Sequence, residues 1–169
     1  MKYNYDIIKK YSLFDGLTEQ EIQKFISLMK FETVKSKDVI IKEGDDGDTI
    51  VLLLKGEVSI TQALTLKNKK AISDNREKVL IKLDSNSHPF FGEISLFNEV
   101  DKRTATITAT SECEIAILDD DDIINLCNED NSLGYKIMKN LAEKLSSSLE
   151  KTNNQVLKLT TVFNLILDN

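Results

Sequence analysis

The pattern of apolar and polar positions divides the chain into three zones, of which the first is helical. Residues 17–30 begin with a capping-box pattern, Thr18 and Glu21, and continue with apolar side chains at helical spacing. This combination predicts a short amphipathic helix that starts after Thr18. The preceding residues, 4–14, predict another short helical segment. A helical entry is therefore expected before the main body of the fold.

The middle zone, residues 31–118, changes to an alternation with a period of two that is broken by turn residues. Its apolar runs are DVIIKEGDDGD (38–48), TIVLLLKGEVSITQ (49–62), EKVLIKL (77–83), TATITAT (104–110) and CEIAIL (113–118). Short strands at such regular spacing are typical of an antiparallel barrel or sandwich. The polar, lysine-rich residues 64–77 predict a long hairpin at the surface.

One of these runs predicts a strand that is buried on a single side. Ala105, Ile107 and Ala109 share one face, and the intervening threonines at 106, 108 and 110 take the other. Because successive side chains of a strand point to opposite faces, we expect only the alanine and isoleucine face to be buried.

The third zone begins with four consecutive aspartates, residues 119–122, followed by IINLC. Acidic residues in the first turn of a helix complement its partial positive charge, so the pattern predicts a capped helix. A metal site is the competing interpretation. Consecutive side chains radiate around a helix instead of converging on one ion, which favours capping. The turn EGDDGD (43–48) likewise lacks the spacing of a calcium loop and predicts a connection between strands.

Residues 131–166 form one long helical pattern with an apolar seam. Steps of four and three separate the seam positions over about four heptads, as in a coiled coil. They are Met138, Ala142, Leu145, Leu149, Thr152, Val156, Leu159, Phe163 and Ile166. Leu133, Ile137 and Leu141 lie on a neighbouring face that can pack on the barrel. Burial of the seam against its own domain is the alternative, but the seam is longer than a compact barrel can cover, which favours self-association.

Composition excludes some classes of partner. The formal charge is −6 and the pI about 4.9, which argues against a nucleic-acid or acidic-membrane surface. The most apolar stretch, IVLLL at 50–54, is far below the ~20 residues of a membrane span. Cys113 and Cys127 form neither a disulfide framework nor a metal spacing, so we expect two small buried apolar side chains. A cytoplasmic protein that does not bind membranes is predicted.

The stretch FFGEISLFNEVDKRTATITA, residues 90–109, carries the candidate chemistry. Gly92 permits a tight backbone entry, and the following residues can form a short helical turn whose N–H groups make an anion site. Arg103 can hold a phosphate with two parallel hydrogen bonds, Thr104 adds a hydroxyl, and Ala105 leaves room for close approach. Glu93 would repel a phosphate but can accept from sugar hydroxyls. Together these groups suit a nucleotide monophosphate better than a free anion.

At this point the sequence resembles the cyclic nucleotide-binding domains of catabolite activator proteins, cyclic-nucleotide-dependent kinases and gated channels. The resemblance covers roughly residues 10–155 and is most specific in the cassette FGEISLFNEVDKRTATITA. It implies a mainly β fold with flanking helices: an antiparallel β-roll or jelly-roll barrel with N-terminal helices, a short phosphate-cassette helix and a long C-terminal helix. We expect residues 1–130 to form the helical entry and the nucleotide-binding β-roll, and residues 131–169 a lid and dimerisation helix.

The resemblance also implies roles for individual residues. Glu93 would bind the ribose 2′-hydroxyl, and Arg103 would pair with the exocyclic phosphate oxygens. The remaining groups of the implied phosphate cradle are the amides from Gly92 through Ile94 to Ser95, the Ala105 amide and the Thr104 hydroxyl. Ser148 falls where bacterial activators place a threonine that contacts adenine. Leu149 replaces their adjacent serine, and Thr104 matches some cyclic-GMP-selective modules, so the choice between cyclic AMP and cyclic GMP stays open.

A regulatory protein rather than an enzyme is therefore predicted. The chain has a single histidine, His88, which cannot build the multi-histidine site of a cupin-like enzyme, and no nucleophile–base set or catalytic residue is recognisable. The predicted protein is a cyclic nucleotide sensor that needs no cofactor or metal and forms a homodimer through its C-terminal helix. That helix would signal to an unidentified protein partner. The alternative is a ligand-free dimerisation or docking module on a degenerate fold of the same kind.

No DNA-binding function is expected from these residues. The last ten residues, TTVFNLILDN at 160–169, are too few for a helix-turn-helix domain and include no basic residue. We therefore expect the protein to pass its signal to a protein partner or to a second copy of the chain.

Overall fold

A computed structural model describes Tyr3 and residues 5–63, 77–97 and 102–167, which form four α-helices and eight β-strands. The helices are α1 (Tyr5–Ile8), α2 (Glu19–Leu28), α3 (Asp120–Glu129) and α4 (Asn131–Leu167). The strands are β1 (Lys30–Val34), β2 (Val39–Ile41), β3 (Thr49–Lys55), β4 (Glu57–Ala63), β5 (Glu77–Asp84), β6 (Phe90–Phe91), β7 (Thr106–Ala109) and β8 (Cys113–Asp119). Short 3₁₀ turns span Ser12–Phe14, Ser85–Ser87 and Ser95–Phe97. Most of the hairpin predicted at 64–77 lies outside the described residues.

The predicted helical entry is confirmed. The Thr18 hydroxyl accepts from the Glu21 amide at 3.3 Å, and the Glu21 carboxylate accepts from the Thr18 amide at 2.6 Å, which completes the capping box of α2. Before α2, the described residues form a single helical turn, α1, and a 3₁₀ turn. The apolar face of α2, with Ile22, Phe25 and Ile26, is buried.

The strands form two four-stranded antiparallel sheets, as the predicted β-roll requires. One sheet has the order β1-β8-β3-β6 and the other the order β2-β7-β4-β5. The run 49–62, which reads as one stretch in the sequence, is divided between the two sheets at Gly56. Gly56 has φ +96°, and a Cβ there would lie 2.5 Å from the Glu112 carbonyl oxygen. Because only glycine tolerates both conditions, the chain can change sheets at this residue.

Apolar side chains of β3 are buried on both faces, which explains its uninterrupted sequence IVLLL. Val51 and Leu53 belong to a core between the two sheets, together with residues of β2, β7 and β8. Ile50 and Leu52 belong to a second core, between the β1-β8-β3-β6 sheet and the helices. The barrel and the helices are therefore joined by one shared sheet.

Strand β7 departs from the one-sided burial expected of it. Ile107 and Ala109 are buried as predicted, but Thr106 on the opposite face is buried as well. Its hydroxyl accepts from the Glu43 amide at 3.0 Å, so the polar atom is satisfied inside the structure. The turn that leaves β2 supplies this partner and covers the threonine.

The aspartates at 119–122 cap α3, as predicted. The Asp119 carboxylate accepts from the Asp121 amide at 3.1 Å, and Asp120, Asp121 and Asp122 lie in the first turn. Within the described ranges, no group of histidine, cysteine, aspartate or glutamate side chains is arranged to hold a metal ion.

Helix α4 has a docked first part and an exposed second part. Leu133, Ile137 and Leu141 are fully buried in the core that the helices share with the sheet, which confirms the packing face predicted for them. Met138 and Leu145 are partly buried, whereas every described residue from Ser146 onward is exposed. Burial of the whole seam against its own domain is therefore wrong beyond Leu145. In the described part of the chain, no helix combines the length and apolar character needed to cross a membrane.

Candidate functional site

A cavity of about 180 Å³ opens beside the segment that connects β6 to β7. Its aliphatic and aromatic walls come from both sheets, and its polar wall comes from the connecting segment. The lining residues are Ile41, Ile60, Phe91, Gly92, Glu93, Ile94, Lys102, Arg103, Thr104, Ala105 and Ile107. The sheets therefore provide an apolar surface, and one loop provides the charged groups.

Gly92 lets the connecting segment pass close to β3. Its φ of +96° is strained for any other residue. A Cβ at this position would collide with the Thr49 carbonyl oxygen and lie 2.6 Å from Nη1 of Arg103. A side chain here would therefore displace either the strand or the arginine, so the glycine is required by the geometry of the site.

Arg103 is a buried cation on the wall of this cavity. Its residue exposure is 8%, and its Nη2 donates to the Thr49 carbonyl oxygen at 2.9 Å and to the Thr49 hydroxyl at 2.8 Å. Hydrogen bonds of this kind hold the planar guanidinium in one orientation. The arginine is thus placed before any ligand arrives, and the cost of ordering it is already met by the fold.

Backbone hydrogen bonds from the turn 43–48 hold the backbone of Arg103 in place. The Arg103 amide donates to the Asp45 carbonyl oxygen at 2.9 Å, and the Gly44 amide donates to the Arg103 carbonyl oxygen at 2.9 Å. Next to this pair, Lys102 and Asp46 form a backbone bridge and a side-chain ion pair. The acidic turn, predicted as a connection between strands, therefore also positions the arginine.

Glu93 is a buried carboxylate on the same wall, with an exposure of 9%. Its Oε1 lies 3.3 Å from Nζ of Lys144, a residue of α4. The ammonium also donates to the Phe90 carbonyl oxygen and lies 3.3 Å from the centre of the Phe90 ring. Burial lowers the pKa of Lys144, and the nearby Glu93 carboxylate opposes that effect. Glu93 and Lys144 thus each have an opposite charge beside them.

This arrangement offers a cation and a carboxylate to one ligand. A buried, pre-oriented guanidinium suits a phosphate, and a carboxylate in the same wall suits hydroxyl donors and repels a second anion. The apolar side chains of Ile41, Ile60 and Ile107 suit a flat ring or another apolar group. Together they suit a ligand with one phosphate, hydroxyls and an apolar portion.

Six of the eight residues predicted for the site line the cavity: Gly92, Glu93, Ile94, Arg103, Thr104 and Ala105. The predicted short helix after Gly92 is the 3₁₀ turn Ser95–Phe97, and the side chain of Ser95 lies outside what the structure describes. Ser148 does not line the cavity: it is exposed on α4, because the helix leaves the barrel after Leu145.

Two positioning residues escaped the sequence analysis, Thr49 and Lys144. Thr49 is the first residue of a strand, and nothing in its neighbourhood in the sequence indicates contact with Arg103. A lysine on a long polar helix is ordinarily solvated, so the sequence assigns Lys144 no role. Its position nevertheless carried a usable signal, because Lys144 follows Leu141 by three residues and so continues the face that was predicted to pack on the barrel.

Comparison with known proteins matches the part of the chain that carries this cavity. A family model described as "Cyclic nucleotide-binding domain" matches residues 31–130. The matched region contains both sheets apart from Lys30, the first residue of β1, and it includes the turn 43–48 and the segment that carries Glu93 and Arg103. It ends where α3 ends, before α4 begins.

Individual relatives extend the match. The chain is 30% identical over 138 residues to the cAMP-activated global transcriptional regulator CRP of Pasteurella multocida, covering 82% of this chain and 59% of that protein. It is 29% identical over 113 residues to human cGMP-dependent protein kinase 2, covering 67% of this chain and 13% of the kinase. The chain thus spans about three fifths of the length of the bacterial regulators it matches.

A solved structure shares the fold. A cyclic nucleotide-binding domain from Methylobacillus flagellatus superimposes with a TM-score of 0.73 at 23% identity, covering 90% of this chain and 79% of that one. The two-sheet roll with flanking helices is therefore common to both chains.

Proposed function

Because this chain belongs to the family of cyclic nucleotide-binding domains, we propose that it is a sensor. It would bind a cyclic nucleotide in the cavity beside the segment that connects β6 to β7. The observation that carries the proposal is the presence of a buried arginine and a buried glutamate, Arg103 and Glu93, on the wall of one cavity. Burial of charged groups is costly and needs a reason. Recognition of a phosphate and a sugar hydroxyl by the same wall supplies one.

In this proposal, Arg103 pairs with the exocyclic phosphate and Glu93 accepts from the ribose 2′-hydroxyl. Backbone amides from Gly92 to Ser95 and at Ala105, with the Thr104 hydroxyl, complete the phosphate cradle. The aliphatic side chains of Ile41, Ile60 and Ile107 would contact the remaining part of the nucleotide. The regulator of Pasteurella multocida is named for activation by cAMP and the human kinase for dependence on cGMP, so both nucleotides are candidates.

The proposed output runs through α4. Residues 131–169 would serve as a lid and dimerisation segment on the nucleotide-binding unit, residues 1–130. Several exposed apolar side chains of α4, among them Leu149, Val156 and Phe163, form a stripe that a second copy of the helix can cover. Ser148 lies one helical turn beyond Lys144 and would reach the nucleotide only when α4 closes over the cavity or a second subunit presents it. We propose that a cytoplasmic homodimer of this kind passes the signal to a protein partner without catalysing a reaction.

The test is a calorimetric titration of purified, ligand-stripped protein with cyclic AMP and with cyclic GMP. One or both should bind with measurable heat, and a thermal unfolding scan should show stabilisation. At a ligand concentration ~100 times the dissociation constant, the expected gain is ~2.7 kcal/mol. Adenosine 5′-monophosphate serves as a control for non-specific phosphate binding. If neither nucleotide produced heat or a thermal shift, the result would favour the alternative, a docking module on the same fold.

A further inference from the structure

Three polar side chains form a row along the docked part of α4. Lys136, Asn140 and Lys144 are spaced four residues apart, so they lie on one face of the helix, one turn above another. The row runs beside the buried residues Leu133, Ile137 and Leu141. Two of its members contact the helical entry, and the third contacts the cavity wall.

The first two members fasten α4 to the helical entry. Nζ of Lys136 donates to both carboxylate oxygens of Glu21, at 2.8 and 2.9 Å, and Glu21 is also a partner in the capping box of α2. The Asn140 amide nitrogen donates to the carbonyl oxygens of Leu13 and Asp15, both at 2.9 Å. Asn140 is itself buried, with an exposure of 6%. The entry segment therefore has two polar attachments to this helix besides its apolar packing.

The third member fastens α4 to the wall of the cavity. The Lys144 ammonium contacts the Glu93 carboxylate, the Phe90 carbonyl oxygen and the Phe90 ring. The lysine side chain is only 22% exposed, and the glutamate side chain 12%. Such a pair is shielded from solvent, so its geometry is held more tightly than that of a surface ion pair. Two residues further along, α4 becomes fully exposed.

We propose that Lys144 positions Glu93 for the nucleotide and that the row Lys136–Asn140–Lys144 transmits occupancy of the cavity to the helical entry. This inference rests on the proposed function, because it takes the Glu93 carboxylate as the acceptor for a ligand hydroxyl.

The chemistry of the carboxylate permits both contacts at once. A carboxylate has about four acceptor sites, so Glu93 can bind the Lys144 ammonium and a ligand hydroxyl together. With the ammonium 3.3 Å away, the carboxylate is held in one orientation before the ligand arrives. Binding energy is then not spent on ordering Glu93. By thermodynamic reciprocity, the ligand must in turn strengthen the attachment of α4 at Lys144.

The effect on the helical entry follows from the spacing of the row. A helix that is held at Lys144 keeps Asn140 and Lys136 in register with the carbonyl oxygens of Leu13 and Asp15 and with Glu21. Occupancy of the cavity should therefore suppress local opening of the entry segment, although that segment does not line the cavity. The N-terminal helices become a second surface, besides α4, on which a partner can read the bound state.

The experiment compares Lys144→Met with wild type by calorimetry and by amide hydrogen exchange. Methionine keeps an apolar stem of similar length over Phe90 but removes the ammonium. We expect the dissociation constant for the cyclic nucleotide to rise about tenfold, within the range of typical coupling energies. At saturating nucleotide, wild type should show slowed exchange at amides of residues 13–21, and Lys144→Met should lose that slowing. Lys144→Arg, which keeps the charge, should restore most of the affinity.

The matched control is Lys139→Met on the same helix. Lys139 pairs with Glu143 at 3.5 Å, but both side chains are more than half exposed. Lys139→Met should leave the nucleotide affinity and the amide exchange of residues 13–21 unchanged. In a Glu93→Gln background, Lys144→Met should add less than a twofold change, because the carboxylate that it positions is gone.

The outcomes separate the two proposals. If wild type binds neither nucleotide, the proposed function fails. If wild type binds but both Lys144→Met and Lys144→Gln stay within twofold of it, or the exchange of residues 13–21 is unaffected by nucleotide, the role of Lys144 is refuted while the sensor stands. Should the methionine variant not fold, the comparison of Lys144→Gln with Lys144→Arg decides in the same way.

Discussion

At the residue scale, the site depends on a buried charge that the fold has already oriented. An arginine in an acidic protein is ordinarily a solvated surface residue. Arg103 is instead buried, and it donates to two oxygen atoms of Thr49. A guanidinium placed in this way is worth more to a phosphate than one in water, because less solvent screens it.

Replacement of Arg103 gives the sharpest test of the proposed phosphate contact. Arg103→Ala should weaken cyclic nucleotide binding by ~2–5 kcal/mol, or ~30-fold to several-thousand-fold, because the phosphate loses its charged partner. Arg103→Lys should restore only part of this, since an ammonium cannot reproduce a two-pronged contact. Calorimetry provides the affinities.

Two controls accompany this measurement. Because Arg103 also satisfies Thr49, the ligand-free melting temperature of each variant must be recorded, and a fall equivalent to ~1–3 kcal/mol is expected for the alanine variant. Lys55→Ala removes an exposed cation of β3 that pairs with Glu114 at 3.6 Å and should not affect binding. An Arg103→Ala protein that is folded and binds within threefold of wild type would show that the phosphate lies elsewhere.

At the scale of elements, Glu21 joins two helices that are far apart in the sequence. Its carboxylate completes the capping box of α2 and accepts two hydrogen bonds from Lys136 of α4. The hydrogen bonds from Lys136 are the main reason that the pKa of Glu21 is lowered, and the Thr18 contacts add to the effect. A local helix cap is thus also a tertiary contact.

Glu21→Gln should lower the free energy of unfolding by about 1 kcal/mol at pH 7, because glutamine keeps the capping-box acceptor but loses the charge that pairs with Lys136. Since the folded pKa lies below the unfolded value, the ionised carboxylate stabilises the fold above pH ~4.3 and loses this contribution as the pH falls through the folded pKa. The difference in unfolding free energy between wild type and Glu21→Gln should therefore shrink as the pH falls below ~4.3. Urea unfolding of both proteins at a series of pH values measures this difference in free energy. Glu19→Gln, an exposed acid in the same first turn, should show a smaller and less pH-dependent difference.

At the scale of the whole molecule, the exposed half of α4 is the feature that a single chain does not account for. Leu149, Val156, Leu159 and Phe163 are each more than half exposed and lie on one stripe. Contiguous apolar surface of this kind ordinarily marks an interaction site. A second copy of the helix, with its stripe at the same heptad spacing, would bury it in a coiled coil.

Leu149→Asp combined with Val156→Asp should convert the proposed dimer into monomers, because each buried leucine in such a seam contributes ~2–5 kcal/mol. Sedimentation velocity at tens of micromolar gives the oligomeric state. Leu157→Asp is the matched control, since Leu157 is 65% exposed and adjacent to Val156 but lies off the stripe. Nucleotide binding should survive better than assembly, because the cavity is built from the barrel. A monomeric wild-type protein under these conditions would rule out dimerisation.

The sequence by itself determined the features that depend on near neighbours. The capping box of α2, the aspartate cap of α3 and the length of α4 could be read because they arise from hydrogen bonds and side-chain spacing within a few turns of chain. The β-roll followed from strand alternation together with the resemblance to a family. The same resemblance indicated Gly92, Glu93 and Arg103, which the fold brings to one cavity.

Tertiary structure alone decided what lies beside those residues. The change of sheet at Gly56, the Thr49 contacts of Arg103 and the covering of Thr106 all join segments that are distant in the sequence. Lys144 is one lysine among many in the sequence, and only the docking of α4 brings it to Glu93. The seam of α4 is periodic throughout, yet every described residue of the helix beyond Leu145 is exposed. Periodicity records which face of an element is apolar, whereas the partner that covers that face is determined by contacts across the fold.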